Sequence, residues 1–428
     1  MKNIIKKFIP PVLLDFYHFS LALAGAVMYR FPSRKLKVIG VTGTNGKTTV
    51  VEMCRQVLEE AGLKVASLSS VKFKIRDREW PNTLKMTMPG RLKIQKFLRQ
   101  AAHAGCQYAV LEVTSEGIKQ YRHRFINFDT AVFTNITPEH IERHGSFERY
   151  KEAKGKLFQS CKNIHVINLD DKNAEYFLQF HAKRKFGFTM LGGFASITRY
   201  GGEASIVSAK DIQPFNLKLP GDFNVYNALA AISVGLSHGI GVEICKRAVE
   251  KIESIPGRME KIKGELFSVI VDYAHTPAAL EKVYQTISGR KICVLGAAGG
   301  GRDKWKRPEL GRIASKYCEK IILTNEDPYD ENLEKILSEI RSGIPDTRYQ
   351  IPDTILDRKE AIKKALSLAK PGDAVIITGK GSEPWMCVAG GKKIPWSDKE
   401  IVLDGFNELT INTERNRSID ILKRDSII

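Results

Sequence analysis

Residues 38–49, VIGVTGTNGKTT, constrain this chain more than any other stretch: an apolar run breaks into a glycine-rich turn with one lysine and two threonines, and a helical pattern follows. The pattern reads as a buried strand, a phosphate-cradling loop and a helix N-terminus. Gly43 and Gly46 let backbone N–H groups close around phosphate oxygens, and the new helix adds the positive end of its dipole. Lys47 would supply a point charge to the outer phosphates, and the Thr48 hydroxyl a ligand to Mg2+. Thr44, Asn45 and Thr49 complete the loop. The generic phosphate loop has four residues between its glycines; here Gly40 stands one position too early and Val41 is no glycine, so the generic match is imperfect. The bland alternative is a strand, turn and helix with an incidental lysine.

At 428 residues the chain is long enough for two or three domains. A hydrophobic content of 43% beside 27% charged residues excludes the disordered and membrane-spanning classes. The net charge of +19 favours polyanionic partners such as nucleotides, phosphorylated or carboxylate-bearing substrates, or an anionic membrane surface. No helix-turn-helix, RNA-binding or zinc-finger pattern accompanies that charge, so no nucleic acid partner is expected. The seven cysteines are scattered without a C-x-x-C pair, which argues for reduced thiols and against zinc. Residues 1–36 open with Lys2, Lys6 and Lys7 and continue as an apolar, aromatic run. Pro10, Pro11, Asp15 and His18 interrupt that run and weaken a signal peptide or a spanning helix. An amphipathic helix over about residues 12–29 is the better reading, docked on its own domain or lying at a membrane interface with the lysines near anionic headgroups.

From residue 37 strands and helices alternate, the signature of a mostly parallel sheet covered on both faces. Strands are expected at 38–41, 64–68, 108–113, 130–135 and 163–168, and helices at 48–61, 92–104, 147–160 and 224–238. Short alternating apolar segments over 186–219 read as antiparallel strands. A second α/β unit begins near Pro256 and Gly257, with strands at 268–271, 291–295, 320–323 and 374–378 and helices at 278–288, 331–342 and 359–369. Residues 411–428 read as a polar tail. The expected division is 1–36, 37–255, 256–410 and 411–428.

Several further motifs stand in order: E-V-T-S at 112–115, F-T-N-I-T-P-E-H at 133–140, Y-K-E-A-K at 150–154, G-D-F-N-V-Y-N at 221–227, P-G-R-M-E at 256–260, D-Y-A-H-T-P at 272–277, G-R-D-K at 301–304 and G-K-G-S-E at 379–383. With TGTNGKTT unaltered at 42–49, the chain resembles the Mur ligase family, and within it the MurE branch. The resemblance implies an α/β fold with a central P-loop ATPase domain on a mostly parallel sheet and a C-terminal Rossmann-like domain. It implies ATP and Mg2+ as cofactors, a cytoplasmic setting or one peripheral at the inner face of the membrane, and a reaction in which ATP phosphorylates a carboxylate and an amino acid's amine displaces the phosphate.

By the same resemblance Thr48, Glu112 and His140 hold magnesium, and Lys154 is the lysine that becomes carbamylated into a carboxylate-like ligand. Sequence alone reads Lys154 as a solvated helix lysine. Asn224 and Asn227 correspond to adenine-contacting asparagines, with helix N-capping as the structural alternative for Asn224. Asp272 corresponds to the ribose-holding carboxylate, with His275 beside it, and Arg258 to a phosphate contact. Lys380 and Glu383 correspond to residues that recognise the incoming amino acid, with Arg302 and Lys304 as anion-binding neighbours. Asp327, Thr87, Thr114 and Ser115 complete the substrate contacts.

Four departures matter. Only about 36 residues precede the loop strand, where the MurE branch has a uridine-nucleotide domain, so a lipid-linked or non-nucleotide carrier stays open beside a UDP-linked one. The selecting D-N-P-R reads Glu326-Asp327-Pro328-Tyr329, which loses an arginine for the distal carboxylate of diaminopimelate and leaves lysine, another diamine or a different amino acid open. D-H reads Glu139-His140, and S-S-H reads Thr114-Ser115-Glu116. Rival readings are a folylpolyglutamate synthetase, a poly-γ-glutamate synthase, a lipid II amidating ligase and a non-catalytic nucleotide binder. The motifs at 256–260 and 272–277 favour the cell-wall branch over the folate one.

Overall fold

The computed structural model describes residues 10–84, 86–192, 201–212, 215–345 and 351–408. The expected tail at 411–428 and the lysines of residues 1–9 lie outside them. The chain divides into two compact units, Met1–Glu253 and Ser254–Ile428.

The first unit is built on a nine-stranded sheet: β1 (Lys37–Thr42), β2 (Val65–Leu68), β3 (Lys72–Ile75), β4 (Arg78–Pro81), β5 (Tyr108–Glu112), β6 (Phe128–Phe133), β7 (Ile164–Asn168), β8 (Arg184–Thr189) and β9 (Glu203–Ser208). The order is β4-β3-β2-β5-β1-β6-β7-β8-β9. β1 lies between β5 and β6, parallel to both, with Val41 opposite Glu112 and Thr42 opposite Phe133. The chain leaves β1 toward β2 on one side and later returns to β6 on the other, so the crevice at the C-terminal end of β1 is the switch point where such sheets bind ligands. Val38, Ile39 and Val41 are fully buried, as a strand covered on both faces requires.

Residues 186–219 do not form the antiparallel strands expected of them: β8 runs parallel to β7, and β9 parallel to β8. Alternation of apolar residues reports a half-buried strand but carries no direction. The antiparallel part lies elsewhere, in β2, β3 and β4, which pair as an edge meander. Its tight turn is Arg76-Asp77, with Arg76 in the left-handed region at φ 51°. A turn without asparagine or glycine hides the usual hairpin signal.

The N-terminal helix runs over Pro11–Met28. Ala22, Gly25 and Ala26 are buried, and a Cβ on Gly25 would sit 3.4 Å from the backbone of Arg91 and Leu92 on the helix Arg91–His103. Large apolar side chains on the opposite face are exposed, so the helix is apolar on both faces and the amphipathic expectation fails. Among the described residues no helix is long and apolar enough to cross a membrane.

The second unit carries β10 (Glu260–Lys263), β11 (Ser268–Val271), β12 (Lys291–Leu295), β13 (Lys320–Leu323), β14 (Asp353–Thr354) and β15 (Ala374–Ile377), in the order β10-β11-β15-β12-β13-β14. Within this sheet the β10–β11 pair is antiparallel and the other described pairs are parallel. The helix Lys306–Tyr317 went unread in the sequence because Pro308 stands near its start, a position where a missing N–H costs nothing. Cys293 on β12 and Cys318 just before β13 form a disulfide, against the expectation that all thiols are reduced. Their separation of 25 residues leaves no local motif to read; adjacency of the parallel strands brings them together.

Arg358 opens the helix Arg358–Leu368, and its guanidinium is wholly buried. It donates to both carboxylate oxygens of Asp398, at 2.9 and 2.8 Å, to the Thr378 carbonyl at 2.8 Å and to the Asn325 carbonyl at 3.1 Å. It thereby joins the chain leaving β13 to the chain leaving β15. Arg358→Lys keeps the charge but loses the planar fork, and should cost about 2 kcal/mol in chemical unfolding of this unit. An unchanged unfolding midpoint would refute that role.

Candidate functional site

The loop at residues 43–46 follows β1 and delivers the helix Lys47–Glu60, with Gly46 at φ 82° as its N-cap. The segment after β6 pins it. Thr44 N donates to the Asn135 carbonyl at 2.8 Å, Asn45 N to Asn135 Oδ1 at 3.0 Å, and Thr134 Oγ1 to the Asn45 carbonyl at 2.7 Å. The Thr44 hydroxyl lies 3.1 Å from the hydroxyl of Tyr150. Both loop glycines are sterically required: a Cβ on Gly43 would lie 1.9 Å from Thr134 Oγ1, and one on Gly46 2.3 Å from Asn227 Oδ1. The pinned loop and the helix N-terminus it delivers thus form an anion cradle.

Three expected residues converge there. Lys47 Nζ donates to the Thr44 carbonyl at 2.7 Å. Thr48 Oγ1 donates to Glu112 Oε2 at 3.0 Å. Ser70, absent from the sequence reading, supplies both its backbone N–H and its hydroxyl to the same oxygen, each at 2.9 Å. Only its place just past the end of β2, beside the carboxylate ending β5, reveals it. Thr49 is buried in the first turn of the helix.

Lys154, on the helix Phe147–Ser160, is buried and donates to the Gly43 carbonyl at 2.7 Å, so the solvated-lysine alternative fails. Its ammonium is held well below the ordinary lysine range, by burial first and the Lys47 charge second, with Glu112 opposing. Its Nζ lies 4.5 Å from the Tyr150 ring centroid, and the ring of His140 lies 6.0 Å from the same ring. Tyr150 is therefore the element that the two expected ligands share. His140 itself is in the left-handed region, at φ 58°, before the short helix Ile141–His144. Among the described residues no three His, Cys, Asp or Glu side chains gather as a metal set. The set here mixes one carboxylate and one imidazole with hydroxyls and a lysine.

Asn224 and Asn227 are buried near the start of the helix Asp222–Ser237. Gly221 is the N-cap, so Asn224 does not fill that role; its amide donates to the Pro220 carbonyl at 2.7 Å, and Asn227 donates to Asn224 Oδ1 at 3.0 Å. Thr114 caps the helix Ser115–Lys119 by accepting from Gly117 N at 3.1 Å, and Ser115 Oγ lies 3.2 Å from His144 Nε2. Thr87 lies half-buried in the loop before the helix Arg91–His103.

In the second unit Asp272 is buried, and its two oxygens accept from Met259 N and Ala274 N, each at 2.7 Å. Arg258 stacks 4.5 Å over Tyr273, and His275 Nδ1 lies 2.8 Å from the Tyr273 carbonyl. Burial, then Lys306, holds the His275 imidazole well below its usual range. Lys380 is wholly buried; its ammonium donates to Asp327 Oδ1 at 3.1 Å, Glu383 Oε2 at 2.5 Å and the Trp385 carbonyl at 2.7 Å. Lys380 thus positions Asp327 and Glu383, and Glu383 is the more accessible of that group. Tyr329 stands in the left-handed region, at φ 53°, and its ring occupies the space a Cβ on Gly300 would need. Lys304 pairs with Glu331 at 3.1 Å, and Arg302 is half-buried.

Glu326 is buried beside Asp327, and its Oε2 meets no hydrogen-bond partner among the described residues. Its carboxyl is pushed up to about 7, by burial first and by Asp327 second, with Arg358 and Lys380 opposing. An unfolded glutamate titrates near ~4.3, so the folded unit binds this proton more tightly. The resulting stability is complete below ~pH 4.3 and is lost as the pH rises through the folded value. Glu326→Gln is neutral throughout, so its melting temperature should fall less than that of the parent between roughly pH 5 and pH 8. Parallel curves would count against this assignment.

Comparison with known proteins adds independent findings. The Mur ligase middle domain matches residues 41–235, and the Mur ligase, glutamate ligase domain matches residues 257–381. A UDP-N-acetylmuramyl-tripeptide synthetase of Roseiflexus sp. (strain RS-1) is 37% identical over 409 residues, covering 89% of this chain and 80% of the relative. A UDP-N-acetylmuramoyl-L-alanyl-D-glutamate–2,6-diaminopimelate ligase of Clostridium acetobutylicum is 37% identical over 403 residues, covering 91% and 82%. Among solved structures, a UDP-N-acetylmuramoyl-L-alanyl-D-glutamate–2,6-diaminopimelate ligase superposes with a TM-score of 0.59 at 28% identity, covering 90% of this chain and 82% of that one.

Proposed function

The chain belongs to the Mur ligase family of ATP-dependent amide ligases, and from that premise we propose that it joins an amino acid to the carboxylate of a muramoyl-peptide-type cell-wall precursor through an acyl phosphate. The observation that carries this reading is the convergence of Lys47, Thr48, Glu112 and Lys154 on the loop at residues 43–46. The helix N-terminus that the loop delivers and Lys47 hold the ATP phosphates, where the reaction must join two anionic reactants. Asn224 and Asn227 receive the adenine.

Magnesium fits this site. Glu112 is a buried carboxylate at a strand end, ringed by the hydroxyls of Thr48 and Ser70, an oxygen donor set of the kind the ion requires. Thr48, Glu112, His140 and carbamylated Lys154 would hold it, and it would neutralise charge on the transferring phosphoryl group. Burial that disfavours the Lys154 ammonium shifts its balance toward the neutral amine that carbon dioxide requires.

The second unit presents the amino acid. Its orphaned Glu326 carboxyl, and Tyr329 where the resemblance has an arginine, support a side chain ending in an ammonium group over one ending in a carboxylate. The test is a screen of UDP-linked and lipid-linked peptide carriers against lysine, ornithine and diaminopimelate, read by phosphate release and mass spectrometry. ADP and phosphate should appear only when both a carrier and an amino acid are present. Release without any carboxylate substrate would sink the reading, and preference for diaminopimelate would sink its amino-acid part.

A further inference from the structure

The helix Pro11–Met28 has a face that the ligase reaction leaves unused. Its inner side, His18, Ala22, Gly25 and Ala26, seats it on the first unit, helped by a contact between His18 and the Arg91 guanidinium. At 3.6 residues per turn, Val12, Leu13, Phe16, Leu23 and Val27 point the opposite way. They are 77%, 58%, 68%, 38% and 56% exposed. Between them the outward face holds only Ser20 and Ala24, so it carries no charge along about 27 Å. A water-facing helix of a soluble domain would place charged residues there. Asp15 is the one charged side chain of the helix.

Positive charge frames this face. Lys2, Lys6 and Lys7 precede the helix in sequence, and Arg30, Arg34 and Lys35 follow it, six basic residues against Asp15 within the first 35. Arg30, Arg34 and Lys35 are exposed, as are Lys93 and Lys96 on the helix beneath.

We propose that this face is a membrane-binding surface: the helix lies flat on an anionic bilayer, with Phe16, Leu23 and Val27 among the acyl chains and the flanking lysines and arginines on lipid phosphates. Apolar burial and electrostatic attraction together are what such peripheral binding requires, since neither alone holds a protein stably. Charge also decides against a second copy of the chain as the occupant, because two copies meeting here would bring their basic flanks together.

The experiment is co-sedimentation of the full chain with vesicles of phosphatidylcholine containing about 30% phosphatidylglycerol, against pure phosphatidylcholine. Binding should be at least about tenfold stronger to the anionic vesicles, and weaker at high salt. Phe16→Glu with Val27→Glu should abolish it while the melting temperature and phosphate release stay as in the parent. Should that variant not fold, Phe16→Trp gives a second reading, since its emission should shift to the blue when anionic vesicles are added. No binding by the parent chain, equal binding by the folded double variant, or an unshifted emission overturns the proposal. So does a dimer in light scattering that the double variant dissociates, which would give the face to a second copy.

Discussion

Lys47→Ala should lower ligase turnover by about a thousandfold or more, the size of effect expected when a preorganised donor to the transition-state charge is removed. Lys47 begins its helix, and its Nζ reaches back 2.7 Å to the carbonyl of Thr44, placing it at the loop and not in solvent. Since Thr134, Asn135 and Tyr150 hold the loop as well, the variant should fold and melt close to the parent. Loss of phosphate release with an unchanged melting curve is the expected pair of results. An active variant would remove the phosphate-cradle assignment, whatever the carrier proves to be.

Lys154→Ala should lower turnover by about a hundredfold, mostly in kcat, because the group lost is the proposed metal ligand and not a binding contact. The buried site offers a second readout. A cavity left beside the Gly43 carbonyl can admit a small carboxylate, so formate or acetate should restore part of the rate to Lys154→Ala and none to Lys47→Ala. Carbamylation needs the uncharged amine, whose population rises with pH. With the ammonium held well below its ordinary range, that amine is available nearer neutrality than an exposed lysine would allow. Depleting carbon dioxide should accordingly slow the parent enzyme and leave Lys154→Ala unaffected. Full activity of Lys154→Ala would end the argument for this ligand.

What could be read in the sequence follows from range. The loop at residues 43–46 is legible because strand, glycines, lysine and helix are contiguous, and Glu112 because it ends an apolar run. Ser70 was not legible, since its role depends on β2 lying beside β5, which no local pattern states. Arg358 was hidden for the same reason: a charged residue at a helix start looks solvated until Asp398, Thr378 and Asn325 close around it. The roles of Lys154 and Lys380 came only through resemblance, because burial of a lysine is invisible to periodicity. The direction of β8 and β9, and the Cys293–Cys318 bridge, belong to pairing between distant segments and were misread accordingly.

The approach of Gly46 to Asn227 carries a consequence for how this site can change over time. Gly46 caps the helix that begins at Lys47 and Asn227 lies on the helix that begins at Asp222, yet a Cβ at 46 would come within 2.3 Å of Asn227 Oδ1. A side chain at 46 therefore requires a smaller one at 227, and a smaller one at 227 removes the amide proposed to meet adenine. Neither position can drift alone without loss. The proposed phosphate loop and the asparagine proposed to meet the base are in effect constrained as one unit.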